Sequence, residues 1–314
     1  MNAFFSTIQK WISNSRLGVK ILLPSLLAFV LVIILFLIYS VSIFNAENQA
    51  REIENKARTE QIISTELQKL NDFSLGLAIQ AAENPEIQEA FANQNRERLQ
   101  ALTLDSFNAL EEKFGIRQYQ YHLPPAQSFL RLHSLGNFGD DLSSFRATVV
   151  QVNQTQEGIS GIEVGRGGVG LRGVQPVFYN GKHIGSVEFG LNIDSNFVID
   201  LKEKYGNEWR IMLNRESLEL ATLEDISLLT EGPTPDLLVL GTTIQGNYQE
   251  LDVYPKILAG ESLTSQILNE NGQILLVASI PIKDHDNKII GLVESIVDNT
   301  SIIQTETNRF LLIC

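Results

Sequence analysis

The chain has 314 residues, a formal net charge of -13, 44% hydrophobic residues and 19% charged residues. The charge argues against a nucleic-acid partner, which needs a basic stripe, and the apolar content excludes a disordered chain. Cys314 is the only cysteine, so there is no disulfide framework and no thiolate metal cluster.

In chain order, the first element is ILLPSLLAFVLVIILFLIYSVSIF, Ile21 to Phe44, without a charged residue. As a helix it would span roughly 36 Å, enough for a hydrocarbon core of about 30 Å. This reads as a retained transmembrane anchor, since a signal peptide has a shorter apolar region and a small-residue cleavage site. Residues 1–20 carry Lys10, Arg16 and Lys20 and no acidic residue. The positive-inside rule therefore places them in the cytoplasm and everything from about residue 45 outside. The closing run NRFLLIC, residues 308–314, reads as the first turn of a second span in a longer protein.

From Asn45 the apolar residues Ile53, Ala57, Ile63, Leu67, Leu70 and Phe73 recur at mostly three- and four-residue spacings. They predict a long helix to about Ala82, with more apolar surface than one neighbour covers, hence a homodimer surface. Asn84-Pro85 is a helix start, and a second helix is expected over 85–113, stopped by Gly115. Strands are expected at 116–123, 159–164, 170–179 and 183–192, the last two joined by the hairpin turn Asn180-Gly181. A helix is expected over 144–156, and another from Asp194 to Tyr205, ended by Gly206. Further on, strands are expected at 209–214, 264–269, 273–283 and 289–297, with a short helix near 234–240 in the otherwise ambiguous stretch 215–262.

Two of these hairpins match. Pro176-Val177, a turn, then Ile184-Gly185-Ser186-Val187-Glu188 reappears about 105 residues later as Pro281-Ile282, a turn, then Ile290-Gly291-Leu292-Val293-Glu294. The match predicts two copies of one α+β module. The organisation expected is a cytoplasmic N-terminus (1–20), a transmembrane helix (21–44), long helices (45–114), a distal module (115–206), a proximal module (207–300) and an exit helix (301–314).

Gly165, Gly167 and Gly170 spell G-x-G-x-x-G, the pattern of dinucleotide turns and of the kinase loop over ATP. The following LRGVQPVF has no helical period, so the helix N-terminus a dinucleotide requires is not expected. The chain has no H-R-D or D-F-G pair to complete a kinase site. A glycine-rich hairpin is the better reading, and a nucleotide-using enzyme the weaker one. G-x-S-x-G and H-E-x-x-H are also missing, so no catalytic residue is assigned. His122 and His133, eleven residues apart, do not have a zinc spacing. Neither a metal nor a cofactor is expected.

The runs YHLPPAQSFLRLHSLGNFGDDLSSFR (121–146) and GIEVGRGGVGLRGVQPVFYNGKHIGSVEFG (161–190) resemble the double Cache sensor domains of bacterial transmembrane receptors. The resemblance implies PAS-like modules, each an antiparallel sheet flanked by helices, with a ligand pocket in the distal one. It implies the extracytoplasmic sensor of a chemotaxis receptor, sensor kinase or related protein in the bacterial inner membrane. A membrane-anchored binding or scaffold module without output is the alternative.

Polar residues inside apolar strands are the candidates for a pocket, because burying them unpaired is costly. Tyr121, His122, Arg131, His133, Arg146, Glu163, Arg166, Arg172, Tyr179 and Glu188 qualify. Tyr121, Arg131, His133, Glu163, Arg172 and Tyr179 are the ligand-binding set. Arginine forks suit a carboxylate, which points to a small organic anion. Structural salt bridges are the competing account, and Glu188 is assigned to it because Glu294 holds the matching place.

Overall fold

A computed structural model describes residues 17–165, 168–220 and 229–313. Two compact units are present among the described residues, one formed by residues 17–53 with 300–313 and the other within 54–299. In the first, the helix α1 (Leu17–Ala82) carries the apolar segment, and Ile21 to Ile43 expose most of their side chains. It is long and apolar enough to cross a membrane. A second helix of this unit, α7, spans Thr300–Ile313.

The larger unit opens with the rest of α1. The 85–113 segment is two helices, α2 (Pro85–Ala92) and α3 (Arg96–Phe114), and not the single one expected. The break is chemical. Gln94 adopts a left-handed φ of 50°, and the Asn95 side chain accepts from Arg98 N and starts a new helix. Asn84 caps α2 in the same way, accepting from Glu86 N and Ile87 N. Gly115, at φ 67°, ends α3 in the left-handed conformation that glycine adopts without strain.

The distal sheet follows. Its strands are β1 (Ile116–Leu123), β2 (Gln127–Arg131), β3 (Ile159–Gly165), β4 (Gly168–Tyr179) and β5 (Lys182–Asn192), ordered β2-β1-β5-β4-β3 and antiparallel throughout. Helix α4 (Ala147–Thr155) lies between β2 and β3, and α5 (Ser195–Tyr205) follows β5. α4 starts three residues later than the expected 144, because its end is held from outside the helix. Arg146 at the N-cap makes no capping bond, and Glu163 of β3 accepts from Thr148 N and from the Thr148 hydroxyl, each at 3.0 Å.

The proximal sheet contains β6 (Glu208–Asn214), β7 (Thr230–Glu231), β8 (Leu237–Thr242), β9 (Leu263–Leu268), β10 (Ile274–Lys283) and β11 (Ile289–Asp298), ordered β7-β8-β6-β11-β10-β9. A short helix α6 (Val253–Leu258) precedes β9. The helix expected near 234–240 is instead the strand β8. Its Leu237-Leu238-Val239 run pairs with β6, and that pairing overrides a weak local helical preference.

The internal repeat is visible in the strand register. Pro176 pairs with Ser186, and Pro281 with Leu292; Val177 pairs with Gly185, and Ile282 with Gly291. In both modules the closing strand then pairs with the strand that opens the module, β5 with β1 and β11 with β6. The chain is thus α+β, with two PAS-like modules after a long helix.

One face of the distal sheet is apolar. Tyr119, Tyr121, Leu171, Val187, Phe189 and Leu191 join the main core with residues of α1, α2 and α3. The approach is close at Gly173, where a Cβ would lie 2.3 Å from Leu75 N of α1.

Candidate functional site

The site lies on the opposite face. Registered partners share a face and alternate residues do not. Gln120 and His122 of β1, Arg131 and Ser128 of β2, Glu188 and Ser186 of β5, Arg172 of β4 and Gly161 and Glu163 of β3 therefore form one surface. Arg146, at the start of α4, reaches into it from above.

The charges are buried and linked. Arg146 Nε donates to Glu163 Oε2 at 2.8 Å, and its Nη2 to Glu188 Oε2 at 2.5 Å. Arg172 Nη1 lies 3.6 Å from Glu188 Oε1. Burial alone would raise the Glu188 carboxyl, but Arg146 and then Arg172 outweigh it and hold it at about 2. His122 Nδ1 faces Ser186 Oγ at 3.3 Å. Burial pushes the His122 ring down to about 3 despite the nearby Glu188, so it is neutral at pH 7. Arg146 and Arg172 balance Glu163 and Glu188, and the buried set has no net charge. Two buried polar atoms on this face, Ser128 Oγ and His122 Nε2, have no hydrogen bond among the described residues.

Two glycines, Gly170 of the G-x-G-x-x-G motif and Gly190 of β5, serve this face. A Cβ at Gly170 would lie 3.1 Å from Arg172 Cζ, and one at Gly190 only 2.7 Å from its Nη1. Gly170 and Gly190 clear the volume that a fully buried arginine needs, whereas a Cβ at Gly165 would meet Arg172 Nη2 at an ordinary contact distance of 3.7 Å. β4 begins at Gly168 as a strand, so no helix opens there to receive a pyrophosphate. Gly167 and Arg166 fall outside the described residues.

Of the six residues chosen from sequence, Glu163 and Arg172 meet in the buried cluster. Arg131 is on the same face at its β2 edge, where its fork grips Asp140 (2.8 and 3.0 Å) and its Nε reaches Gln120 Oε1 at 3.3 Å. His133 follows β2 at the rim of the cluster: part of the residue is exposed, but desolvation of its ring lowers its pKa to about 4, and it is close enough to Glu188, Arg131 and Arg172 to feel their charges. Tyr121 points the other way, into the apolar core, with its hydroxyl 2.7 Å from that of Tyr119 and its ring 5.3 Å from Phe91. Tyr179 pairs with Lys182 at the hairpin end. Arg146, Glu188 and His122 belong to the cluster but were left out of that set. The alternation Gln118, Gln120, His122 along β1 was the available signal.

Glu294 of the proximal module sits where Glu188 sits in the distal one. Arg210 Nε and Nη2 both donate to its Oε2, at 2.9 and 2.5 Å. A buried carboxylate at this strand position is common to both modules, but only the distal one is held from a helix start. Among the described residues no group of three or more His, Cys, Asp or Glu is placed to hold a metal.

The sequence matches a double Cache family described as the double sensory domain of two-component sensor kinase, over residues 49–303. A search of curated proteins finds no match. Among solved structures, the periplasmic domain of Vibrio cholerae LuxQ is similar at 15% identity and a TM-score of 0.42, covering 75% of this chain and 98% of that one. The V. cholerae histidine kinase DctB sensor domain is similar at 9% identity and 0.46, covering 80% and 98%. The ligand-binding domain of the Campylobacter jejuni chemoreceptor Tlp3, in complex with 4-methylisoleucine, is similar at 10% and 0.42, covering 77% and 86%. Scores at that level say nothing about this chain's ligand. The family match spans most of the chain, and the protein belongs to the double Cache sensory-domain family.

Proposed function

We propose that the chain is the extracytoplasmic sensory part of a membrane-anchored bacterial receptor, and that a small polar molecule binds on the polar face of the distal module. The observation that carries this is the buried set under α4. It brings together charged groups from four different elements and leaves Ser128 Oγ and His122 Nε2 without hydrogen bonds among the described residues. Unsatisfied buried polar atoms are costly, and a ligand that meets them is favoured.

Charge balance shapes the expected ligand. The arginines already face carboxylates, so a simple anion gains less here than the arginines alone would suggest. A molecule offering both donors and acceptors, with little net charge, fits better. The small organic anion stays as the competing class. Binding must favour one arrangement of the module for a signal to pass. The segment Ile21 to Phe44 would anchor the receptor, with the sensory modules outside and the output in the cytoplasm. The family's description supports phosphotransfer as that output. α1 is the expected dimer surface.

A thermal-shift screen of residues 49–303 against polar metabolites and organic acids tests the reading. A compound at 100 times its dissociation constant stabilises by about 2.7 kcal/mol. A hit removed by Ser128→Ala or Arg131→Ala, in variants that fold, supports it. A hit that survives both and is removed by changes elsewhere overturns the placement.

A further inference from the structure

The polar face meets the proximal module at β3, where the Glu216–Leu220 segment packs alongside. β3 is the outer strand of the distal sheet, so one edge of its backbone is open to another partner. That partner is the turn between β10 and β11. His285 N–H donates to Ile162 O at 2.9 Å. The His285 side chain is 7% exposed, and it lies on Gly161 so closely that a Cβ there would be 2.8 Å from His285 Cβ and 3.3 Å from its Cα.

Gly161 is on the same face as Glu163 and directly opposite Arg172 in the register. The strand that supplies the cluster's Glu163 is therefore the strand the proximal turn grips, two residues away. The turn is stiff. Asp284 Oδ1 accepts from Asp286 N and Lys288 N, and Asp284 N donates to Lys288 O. Beside it lies a cleft of about 270 Å³, lined by Ala147 and Glu163 from the distal module and by Ser217, Asp284 and Lys288 from the proximal one.

We infer that the Asp284–Lys288 turn, docked through His285 on Gly161 and Ile162, is the contact through which the polar face of the distal sheet acts on the proximal module. This rests on the sensory reading for its purpose, but not for its test. The turn joins β10 to β11, and β11 is followed directly by α7 at Thr300. A displacement of β3 therefore has a covalent route towards the chain's exit helix.

The test is hydrogen exchange on the full chain in lipid nanodiscs, with no ligand added. Glu163→Gln is the perturbation. The Thr148 amide, which donates to Glu163 in the wild type, is the internal control and should exchange faster. The expected result is faster exchange of the His285 amide as well, by roughly two- to a hundredfold, the range for residues that share contacts. The β9 amides, in the same module but away from the turn, should stay within about twofold. In a His285→Pro background, which removes the N–H that docks on Ile162 O at a turn position that accepts proline, Glu163→Gln should no longer alter exchange in β10 and β11. If Thr148 responds and His285 does not, or if β9 speeds up equally, the inference is overturned. Should Glu163→Gln fail to fold, Thr148→Val loosens the same carboxylate more gently and is read in the same way. An empty ligand screen would count against the sensory reading and leave this result standing.

Discussion

Replacing Arg146 by methionine keeps most of the side chain's volume and removes its charge. Glu163 would retain both bonds from Thr148, and Glu188 would retain Arg172 at 3.6 Å. Glu188, fully buried, would lose its strongest partner. Its carboxyl is held at about 2 against an ordinary 4.5, a shift worth about 3 kcal/mol at 1.36 kcal/mol per pH unit. Removing one partner of a buried pair independently suggests about 3–5 kcal/mol, and the remaining contacts favour the lower end. In a domain of this size that is a fall in Tm of about 6–12 °C. Trp209 is buried and is the only tryptophan in residues 54–299, so its fluorescence reports urea unfolding of that unit. The effect has a sign in pH. A carboxyl held low in the fold stabilises fully above about pH 4.5 and ceases to stabilise as pH falls through about 2. In the variant, burial without Arg146 favours the protonated acid. The gap between the two proteins should therefore narrow as pH falls from about 5 to about 3. A gap below about 1 kcal/mol at pH 7, or one that stays constant down to pH 3, would refute the reasoning.

His122 titrates near 6.5 unfolded and near 3 in the fold, so it withdraws stability as pH drops below 6.5, at up to about 1.4 kcal/mol per unit. His122→Gln should remove that limb; the urea midpoints of variant and wild type should converge between pH 7 and pH 5, and parallel curves would count against it. Gly190→Ala meets the flexible end of Arg172, whereas Gly173→Ala meets the backbone of α1 at 2.3 Å. The first should cost about 1–3 kcal/mol and the second clearly more, measured by the same unfolding assay; the reverse order would show that α1 yields more easily than a buried guanidinium. In the proximal module, Arg210→Met should lower stability by about 3–5 kcal/mol without changing the affinity of any ligand found for the distal face. A matching loss of affinity on titration calorimetry would place that ligand elsewhere.

Much of the fold was legible because the signals are local. Gly115, Asn84-Pro85, Asp194 and Gly206 end or begin helices through their own backbone and side chains. Apolar runs bounded by turn residues such as Asn180-Gly181 located β1, β4, β5, β10 and β11. The repeat showed in sequence because matching hairpins require the same residues at the same register. Where the reading failed, a distant partner decided. α4 begins where Glu163 of β3 caps it, and β8 is a strand because β6 pairs with it.

The candidate site was legible in kind but not in membership. Polar residues within apolar strands pointed to Glu163 and Arg172, and also to Tyr121, which alternation puts in the core. Sequence alone determined an apolar anchor segment, two α+β modules and the residue types a polar pocket would use, since these depend on composition, spacing and repeat. Only the tertiary structure decided which charges meet. Arg146 and Glu188 are 42 residues apart, and the Arg146–Glu188 bond exists because the turns returning α4 over the sheet bring a helix start above β5. No periodicity in the chain records that crossing.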